Sequence, residues 1–311
     1  QLVINYDQST DTPDGFSNSF KLSVGTVESA IDTNEYLMIN QKIEAQNLQH
    51  LKYGTSSAET LTLSFHVKSS VTGTYAISVF QQDASKYYST TYTVNSANTW
   101  EYKTVKINGN TSDIINNDNG SGLRLSWTLS SGSNFTSGSN DAWGASSNWA
   151  VGHNASWITT SSATFFLTGV QLEVGSQVTP FEHRSVAEEL ALCQRYLYRI
   201  SGSLYEFFVN GVRNNTNYLW CPLQLPVPLR TQPTITTSGT SNNCFGIWLG
   251  TGGSWDTQHT TMGVYANPDL HDGSVVQLAL ALNGISTSFG DGQCVNLAFQ
   301  DNGFLNCDAE L

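Results

Sequence analysis

The sequence predicts an all-β protein: a jelly-roll β-sandwich, one short connecting helix and a second, smaller β-sandwich domain. Three observations support this fold class. Short segments alternate apolar and polar side chains, Gly, Asn and Ser separate these segments, and only 12% of the 311 residues are charged. Alternation with a period of two residues is typical of half-buried antiparallel strands, whereas the exposed faces of helices need many charged side chains.

The clearest alternation lies in the first half of the chain. In TLTLSFHVKSS, at 60–70, the apolar residues at every second position share one face. The same pattern predicts strands at 74–82, 100–107, 122–130 and 164–174. Short strands at such close spacing indicate a jelly-roll sandwich, which we assign to residues 1–180. Trp100 and Trp127 lie within the alternation and are predicted to be core residues.

A single helix is predicted after Pro180, where the strand pattern stops. SVAE, at 185–188, has the form of a capping box, and we expect a helix over about 186–198 within a linker at 181–202. Leu190, Cys193 and Leu197 fall on its apolar stripe. Because so short a helix is marginal alone, the stripe must pack on a neighbouring domain or on the same helix of another subunit. The second alternative makes these three residues a candidate oligomer interface.

Strand patterns return after Gly202, in segments such as SLYEFFVNG and VVQLALAL, and predict the second β-domain at 203–311. LPVPLRTQP, at 225–233, contains three Pro. Proline cannot donate a hydrogen bond to a sheet, so this run fits an edge strand or a linker better than a central strand.

The charge balance excludes several classes of partner. The chain has 13 Lys and Arg against 25 Asp and Glu, a formal net charge of −12. Nucleic-acid binding needs clustered basic side chains, and the sequence contains no basic run. No apolar stretch approaches the ~20 residues of a membrane span, so we predict no membrane insertion. The chain opens at QLVINYDQ without Met or a signal peptide, and we interpret it as a piece of a longer polypeptide.

The cysteines predict neither a zinc site nor a disulfide framework. Their number is odd and none forms a CxxC pair. We expect free buried thiols, as in a reducing cytoplasm; a disulfide among the last four is the alternative. The five residues are Cys193, Cys221, Cys244, Cys294 and Cys307.

Tryptophans in two loop-like segments are the candidate binding residues. Residues 130–157 hold three Trp and almost no charge. An indole stacks well on the C–H face of a sugar ring, and neighbouring amides or carboxylates can bind its hydroxyls, so this segment predicts a glycan platform. The alternative is that the indoles pin the loop to the sandwich. The candidates here are Trp143, Trp149, Trp157, Asn140 and Asp141. Trp248 and Trp255 form a second set, for which core packing and subunit contact are the alternative.

The segment FLTGVQLEVGSQVTPFEHRSVAEELALCQRYLYRI, at 166–200, closely resembles one that recurs in virion structural proteins of tailed bacteriophages, among them tail fibre and carbohydrate-binding proteins. INQKIE and NTWEYKTVKI resemble the jelly-roll strands of that family, which are similar to xylanase-type carbohydrate-binding modules. QLPVPLRTQPTITTSG and the terminal DAEL resemble its C-terminal domain. The resemblance covers nearly the whole chain. It departs at the start, where the strand region that usually precedes QLVINYDQ is absent, and in the 130–160 loop.

The resemblance implies a virion surface protein, in a tail or head fibre, assembled in the host cytoplasm. It implies a homotrimer that contacts other virion proteins and attaches to host surface glycans without catalysis. One alternative is a head fibre or capsid decoration protein with a structural role.

A second alternative is a polysaccharide depolymerase, which needs two carboxylates about 5–9.5 Å apart. Its candidates in loop-like sequence are Asp83, Asp141, Asp256, Asp269, Asp272 and Asp291. The resemblance also makes a structural calcium ion an expectation. Its candidate ligands are Asp7, Asp11, Asp14 and Glu173.

Overall fold

The computed structural model describes the chain in nine stretches. These are residues 2–145, 147–215, 218–238, 245–249, 255–256, 261–268, 275–283, 294–299 and 303–311. The chain divides into two compact units, Gln1–His183 and Arg184–Leu311. Both consist mainly of antiparallel strands, with one short α-helix in the described residues, so the predicted all-β class is confirmed.

Two five-stranded antiparallel sheets form the first unit. Its strands are β1 (Val3–Ser9), β2 (Ser19–Thr26), β3 (Tyr36–Glu44), β4 (Leu61–Ser69), β5 (Gly73–Gln81), β6 (Lys86–Val94), β7 (Glu101–Ile107), β8 (Ser121–Ser131), β9 (Ala142–Ala145) and β10 (Thr164–Val174). The first sheet has the order β1-β2-β10-β4-β7 and the second the order β3-β8-β5-β6-β9. Two 3₁₀ turns span Ala45–Leu51 and Ser133–Phe135. The strands that alternation predicted are β4, β5, β7, β8 and β10.

The core lies between the apolar faces of these two sheets. Phe65 of β4 meets Trp127 of β8 edge to face, with ring centroids 5.8 Å apart. It meets Tyr92 of β6 in the same way at 5.0 Å. Leu63, Phe65 and Ile77 are fully buried, as the alternation requires.

A β-bulge interrupts β10 inside the GVQLE motif. The register with β4 shifts between Thr168 and Gln171. Gly169 has a φ of 60°, and a Cβ at this position would lie 2.6 Å from the ring of Phe16. A side chain would therefore be strained and would clash, which explains why glycine occupies this position.

Antiparallel sheets of seven and three strands make up the second unit. Its strands are β11 (Leu197–Gly202), β12 (Phe207–Asn215), β13 (Tyr218–Leu229), β14 (Thr234–Thr237), β15 (Phe245–Leu249), β16 (Trp255–Asp256), β17 (Thr261–Pro268), β18 (Val275–Asn283), β19 (Cys294–Phe299) and β20 (Gly303–Asp308). The orders are β16-β15-β19-β12-β13-β18-β17 and β11-β20-β14. The proline run enters the end of β13, where the register with β18 breaks between Gln224 and Leu229. The break accommodates residues that cannot donate to the ladder.

The helix, α1, spans Val186–Gln194 and has the predicted capping box. The backbone N–H of Glu188 donates to Ser185 Oγ at 3.3 Å, and the N–H of Ser185 donates to Glu188 Oε2 at 2.9 Å. The predicted extension to residue 198 is wrong. Leu197 begins β11 and pairs with Asp308 of β20, so strand pairing replaces the last predicted turn of helix.

Candidate ligand-binding face of the first unit

One face of the second sheet packs in the core, and the other carries small polar side chains. Tyr75, Ile77 and Val79 of β5 belong to the core, so the intervening positions point outward. Four outward residues align across β3, β8, β5 and β6. We call them the serine row: Asn40, Ser126, Ser78 and Ser89.

Unpartnered hydroxyl groups distinguish this face from an ordinary solvated sheet. Ser126 Oγ donates to Asn40 Oδ1 at 2.7 Å. Ser78 and Thr128, however, are 0% exposed, and their hydroxyls make no hydrogen bond within the part of the chain that the structure describes. Burying an unpaired polar group costs about 1–3 kcal/mol. Because the chain itself covers both residues, neither hydroxyl is accessible to a large ligand.

On one side of the serine row lies a basic wall, which consists of Phe80, Tyr87 and Arg124. The Arg124 guanidinium lies 4.9 Å from the centroid of the Phe80 ring and donates from Nη2 to the Tyr87 hydroxyl at 2.8 Å. The rings of Phe80 and Tyr87 contact each other with centroids 4.4 Å apart. Burial raises the pKa of the Tyr87 hydroxyl, and the Arg124 charge opposes this rise. The contacts fix the planar cation in one orientation.

On the other side lies an aromatic wall, which consists of Tyr36, Phe135 and Trp149. Phe135 and Trp149 stack with centroids 4.6 Å apart and 27° between planes. Tyr36 meets both rings edge-on, at 5.5 and 5.0 Å, and keeps 56% of its surface exposed. The Tyr36 hydroxyl adds a smaller contribution to the raised pKa of Tyr87.

An exposed amide beside aromatic side chains can bind a polyhydroxylated ligand. Rings stack on the C–H faces of such a ligand, while Asn40, the exposed member of the serine row, supplies a donor and an acceptor for its hydroxyls. The chain itself buries Ser78, Ser89, Ser126 and Thr128. Asn40 and the two walls contain no carboxylate.

The structure corrects the predicted tryptophan platform, because the three indoles point to three different places. Trp157 is 0% exposed and lies in the core of the sandwich. Trp149 is 5% exposed and supports Tyr36 rather than presenting a free ring. Trp143 packs on Tyr53 and Tyr88 and donates from Nε1 to the carbonyl of Asn108 at 2.7 Å. The alternative prediction, that the indoles pin the loop to the sandwich, agrees with the buried positions of Trp149 and Trp157.

Asn140 and Asp141 are exposed and lie at the β9 end of the serine row. The backbone N–H of Asp141 donates to the carbonyl of Ser89 at 2.7 Å. Asp141 has a φ of 60°, a conformation that Asp tolerates better than most residues. Asn140 and Asp141 are thus predicted binding residues whose exposed polar side chains lie at the edge of the outward face of the second sheet.

In the second unit, Trp248 and Trp255 are opposite each other in the pairing of β15 with β16. Trp248 is partly buried. The side chain of Trp255 lies outside what the structure describes, so its predicted role stays a prediction.

The sequence reasoning missed the residues of the basic wall and Tyr36. An available signal was the outward register of the strands themselves. In YAISVFQ and GLRLSWTLS, Phe80 and Arg124 alternate with core residues. Their side chains must therefore lie on the outward face of the sheet.

The outward side of the first sheet holds a concavity of about 250 Å³. It is lined by Ser64, His66, Tyr102, Gly169, Thr179, Pro180 and Phe181. The segment after β10 folds back over this sheet, where the ring of Phe181 lies 5.0 Å from that of Phe16. Glu182 donates its backbone N–H to Gln171 Oε1 at 2.8 Å. The GVQLE…TPFEH motif therefore forms a packed strap along the sandwich.

Two of the four candidate calcium ligands, Asp11 and Glu173, are engaged by protein groups. Asp11 forms an ion pair with Lys68 and accepts from Trp100 Nε1 at 3.0 Å. The hydrogen bond from Lys68 holds the pKa of Asp11 below its usual value. Glu173 accepts from the backbone N–H of Thr179 at 3.2 Å. Over the described residues, no three His, Cys, Asp or Glu side chains come together as a metal site.

Trp100 departs from its predicted core position. Its ring lies beside Phe166 and near the Lys68 ammonium on the outward side of the first sheet, with centroid distances of 6.1 and 5.5 Å. Trp100 immediately precedes β7 and is in phase with the exposed Tyr102, whereas the buried residues of β7, Val105 and Ile107, lie at the intervening positions.

The predicted catalytic carboxylates do not form a described pair. Asp83 accepts from the side chain and backbone of Asn116 at 2.8 and 2.9 Å, and Asp141 lies at the edge of β9. The remaining side chains fall outside the described residues: Asp256, Asp269, Asp272 and Asp291.

The predicted oligomer-interface residues are exposed on the second unit. Leu190 is 54% exposed on α1, and Cys193 is exposed on the same helix. Leu197, on β11 rather than on the helix, is 41% exposed. Within the described residues, no helix has the length and apolar character that a membrane span requires.

No protein-family model matches the chain, and no curated protein matches it. Among solved structures, a carbohydrate-binding module of type CBM4 is 15% identical, with a TM-score of 0.32, over 56% of this chain and 77% of its own. The enzymatically active domain of tailspike protein 4 from bacteriophage CBA120 is 11% identical, with a TM-score of 0.29, over 56% and 18%. The tandem CBM22 domain of Paenibacillus barcinonensis Xyn10C is 9% identical, with a TM-score of 0.28, over 99% and 92%. The chain is similar to these proteins at a low level.

Proposed function

We propose that the first unit binds glycans on the outward face of its second sheet, at Tyr36 and Asn40, without catalysis. The observation that carries the proposal is the exposed ring of Tyr36, which Phe135 and Trp149 hold edge-on, on the same face of β3 as the exposed amide of Asn40. A sugar offers a C–H ring face to the aromatic ring and hydroxyl groups to the amide.

In this proposal the chain is a surface fibre protein of a tailed-phage virion that attaches to host surface glycans. The support is the resemblance of residues 166–200 to phage virion proteins. Within this segment, the strap holds Glu182 on Gln171 in the first unit, and the capping box begins α1 in the second.

Binding is tested by a glycan-array screen of the purified chain, followed by titration of the tightest ligand. Tyr36→Ala should weaken binding roughly tenfold, the order of one lost aromatic stacking contact. Tyr102→Ala is the matched control, because Tyr102 is 49% exposed on the outward side of the other sheet. Equal losses in the two variants, or binding unchanged by Tyr36→Ala, would place the site elsewhere.

The absence of catalysis is tested separately. Any bound glycan is incubated with the chain, and new reducing ends are counted. Their accumulation at a rate proportional to protein concentration would show a depolymerase instead.

We further propose that the chain assembles as a homotrimer through α1 and associates with other virion proteins. The support is the exposure of Leu190 on a helix that also exposes Val186 and Leu192. Leu190→Asp should dissociate the assembly in sedimentation velocity, whereas Ala187→Asp adds the same charge on an exposed position beside the stripe. A monomeric parent chain would contradict the proposal, as would a trimeric Leu190→Asp variant.

The alternative of a structural decoration protein is favoured by one observation. Tyr6 and Phe20, on the neighbouring strands β1 and β2, are 75% and 40% exposed. Exposed apolar groups on an edge strand suit contact with another virion protein. If a well-folded chain binds no glycan, immunogold labelling of virions would decide between a capsid location and a fibre tip.

A further inference from the structure

We infer that the second unit has a binding face of its own for a neutral oligosaccharide, on the outward side of its seven-stranded sheet. This face is separate from the site proposed at Tyr36 and Asn40 of the first unit. Six residues form it, and we call them the indole–amide strip: Asn210, Val212, Trp220, Trp248, Cys294 and Asn296.

The buried residues of β15 and β19 fix which side of this sheet faces outward. Ile247 and Val295 lie in the core of the second unit. Successive side chains of a strand point to opposite faces of the sheet. Trp248 and Asn296, the next residues of the two strands, therefore point away from the core.

Two rows of directly opposite residues cross this face. The row across β15, β19 and β12 consists of Trp248, Asn296 and Asn210. The row across β19, β12 and β13 consists of Cys294, Val212 and Trp220. Because directly opposite residues share a face, an indole lies at each side of the strip, and the amides lie between the two.

A ligand can reach the strip in the chain as it stands. Val212 is 45% exposed, and Asn210 and Cys294 are exposed. Asn296 and the two indoles are partly exposed. Binding therefore requires no buried group to be uncovered.

The chemistry of the strip matches a neutral sugar. An indole offers an apolar face to the C–H bonds of a sugar ring, and the amides of Asn210 and Asn296 offer donors and acceptors to its hydroxyls. All six side chains are uncharged, so an acidic glycan would find no cation among them, and the net charge of −12 on the chain would repel it. The centre of a protein–protein contact is usually its most apolar part, whereas two amides share the centre of the strip.

The two indoles are too far apart for one sugar ring to contact both. The strand order β15-β19-β12-β13 separates the strands of Trp248 and Trp220 by roughly 14 Å, three strand spacings. A chain of several sugars can reach both indoles, and its second contact is then formed within one complex, which raises the affinity. The expected ligand is therefore an oligosaccharide.

Cys294 reports occupancy of the strip in the full chain without any substitution. The rate at which iodoacetamide labels this thiol is followed against the concentration of cellohexaose, xylohexaose, mannohexaose or maltohexaose, up to the solubility of each. With at least one probe, the rate should fall about tenfold at ten times the Kd, where about nine-tenths of the sites are filled. Cys193, an exposed thiol on α1 of the same unit, is the internal control and should react at an unchanged rate.

Ligand length and substitutions test the two indoles. The monosaccharide of the protecting probe should need a concentration at least about tenfold higher for half protection, because it contacts one indole only. Trp248→Ala and Trp220→Ala should each raise the half-protection concentration of the hexasaccharide about tenfold. Phe304→Ala is the matched control, because it removes a partly exposed ring from β20 in the other sheet of the same unit, and it should change nothing.

A further variant keeps the test sharp if an indole variant does not fold, which its melting temperature shows. Asn210→Ala removes one amide at an exposed position. It should raise the half-protection concentration by roughly three- to tenfold, the order of one lost hydrogen bond. An Asn210→Ala chain that matches the parent would contradict the role of the amides.

Three results overturn the inference: labelling of Cys294 that no probe slows, equal half-protection concentrations for the monosaccharide and the hexasaccharide, and equal shifts in Trp248→Ala and Phe304→Ala. The site on the first unit is judged by Tyr36→Ala, which should weaken array binding but leave the protection of Cys294 unchanged. Protection of Cys294 together with array binding that Tyr36→Ala does not affect would support the strip and refute the first-unit site. The reverse pair of results would refute the strip alone.

Discussion

Phe135 and Trp149 stack with ring centroids 4.6 Å apart, and this contact closes the long loop between β8 and β10 on the outward face of the second sheet. Trp149 packs there on Ala76 and Met38. Further along the same loop, Trp157 enters the core on the opposite face of the same sheet. The loop is thus anchored on both faces of one sheet.

Trp157→Ala should destabilise the first unit by about 3–5 kcal/mol, the usual cost of deleting a fully buried indole. Trp149→Ala should cost less, because its ring lies under a loop rather than in the main core, but it should also weaken glycan binding by releasing Tyr36. Urea denaturation followed by Trp fluorescence measures the first effect, and titration with the array ligand measures the second. A Trp157→Ala chain within about 1 kcal/mol of the parent would contradict the core anchor.

The stability of the first unit should fall in mild acid because of His153. Burial lowers the pKa of His153 to about 4. Its Nδ1 accepts from the backbone N–H of Ala76 at 3.3 Å, so the proton lies on Nε2, which donates to the carbonyl of Ala155 at 3.0 Å. Because the folded pKa lies below the unfolded value of about 6.5, unfolding takes up a proton. Stability is complete above pH 6.5 and falls progressively to pH 4, by about 3 kcal/mol at most.

Melting temperatures of the parent and His153→Gln chains from pH 7 to pH 4 test this. The decline should be smaller in the variant. It should not vanish, since burial lowers the pKa of His66 as well. Parallel curves for the two chains would show that His153 does not cause the acid sensitivity.

The sequence predicted those parts of the fold that depend on residues close together in the chain. Alternation marked β4 and β10 because one face of each strand must be apolar when the other faces solvent. The capping box at Ser185 and Glu188 was predictable because all of its groups lie within four residues.

The predictions that failed concern contacts between residues that are far apart in the sequence. Leu197 fits the helix stripe, but it pairs with Asp308, which lies more than a hundred residues away in the sequence. The loop indoles could face a ligand, the core or the back of the sheet, and nothing near Trp157 in sequence decides among them. The basic wall was missed for the same reason, since Phe80 and Arg124 meet only once β5 and β8 are paired.

The described cysteines should divide into two reactivity classes. Cys193 and Cys294 are exposed free thiols, whereas Cys221 and Cys307 are buried. Burial raises the pKa of each of the latter two thiols to about 12, so little thiolate forms at neutral pH. Iodoacetamide labelling at pH 8 with peptide mass spectrometry should modify the exposed pair in the native chain. The buried pair should react only in denaturant, and equal rates for Cys193 and Cys221 would contradict the assignment. Cys244 lies outside the described residues.

Arg230 should be a principal stabilising residue of the second unit. It is 8% exposed, donates from Nε to the carbonyl of Ala309 at 3.0 Å, and donates from Nη2 to the carbonyl of Glu310 at 3.1 Å. Its backbone N–H donates to the carbonyl of Arg195, just after α1. Arg230 thus joins the end of β13, the residue after α1 and the segment after β20. Arg230→Ala leaves those carbonyls without a charged donor and should cost about 3 kcal/mol.

Arg199 offers a matched control for this prediction. It is exposed and places its guanidinium 4.2 Å from the centroid of the Phe304 ring, a contact worth about 0.5–1 kcal/mol. Arg199→Ala should therefore lower the free energy of unfolding by less than a third of the loss in Arg230→Ala, measured by urea denaturation of the same unit. Equal losses would mean that the hydrogen bonds of Arg230 contribute no more than a surface contact.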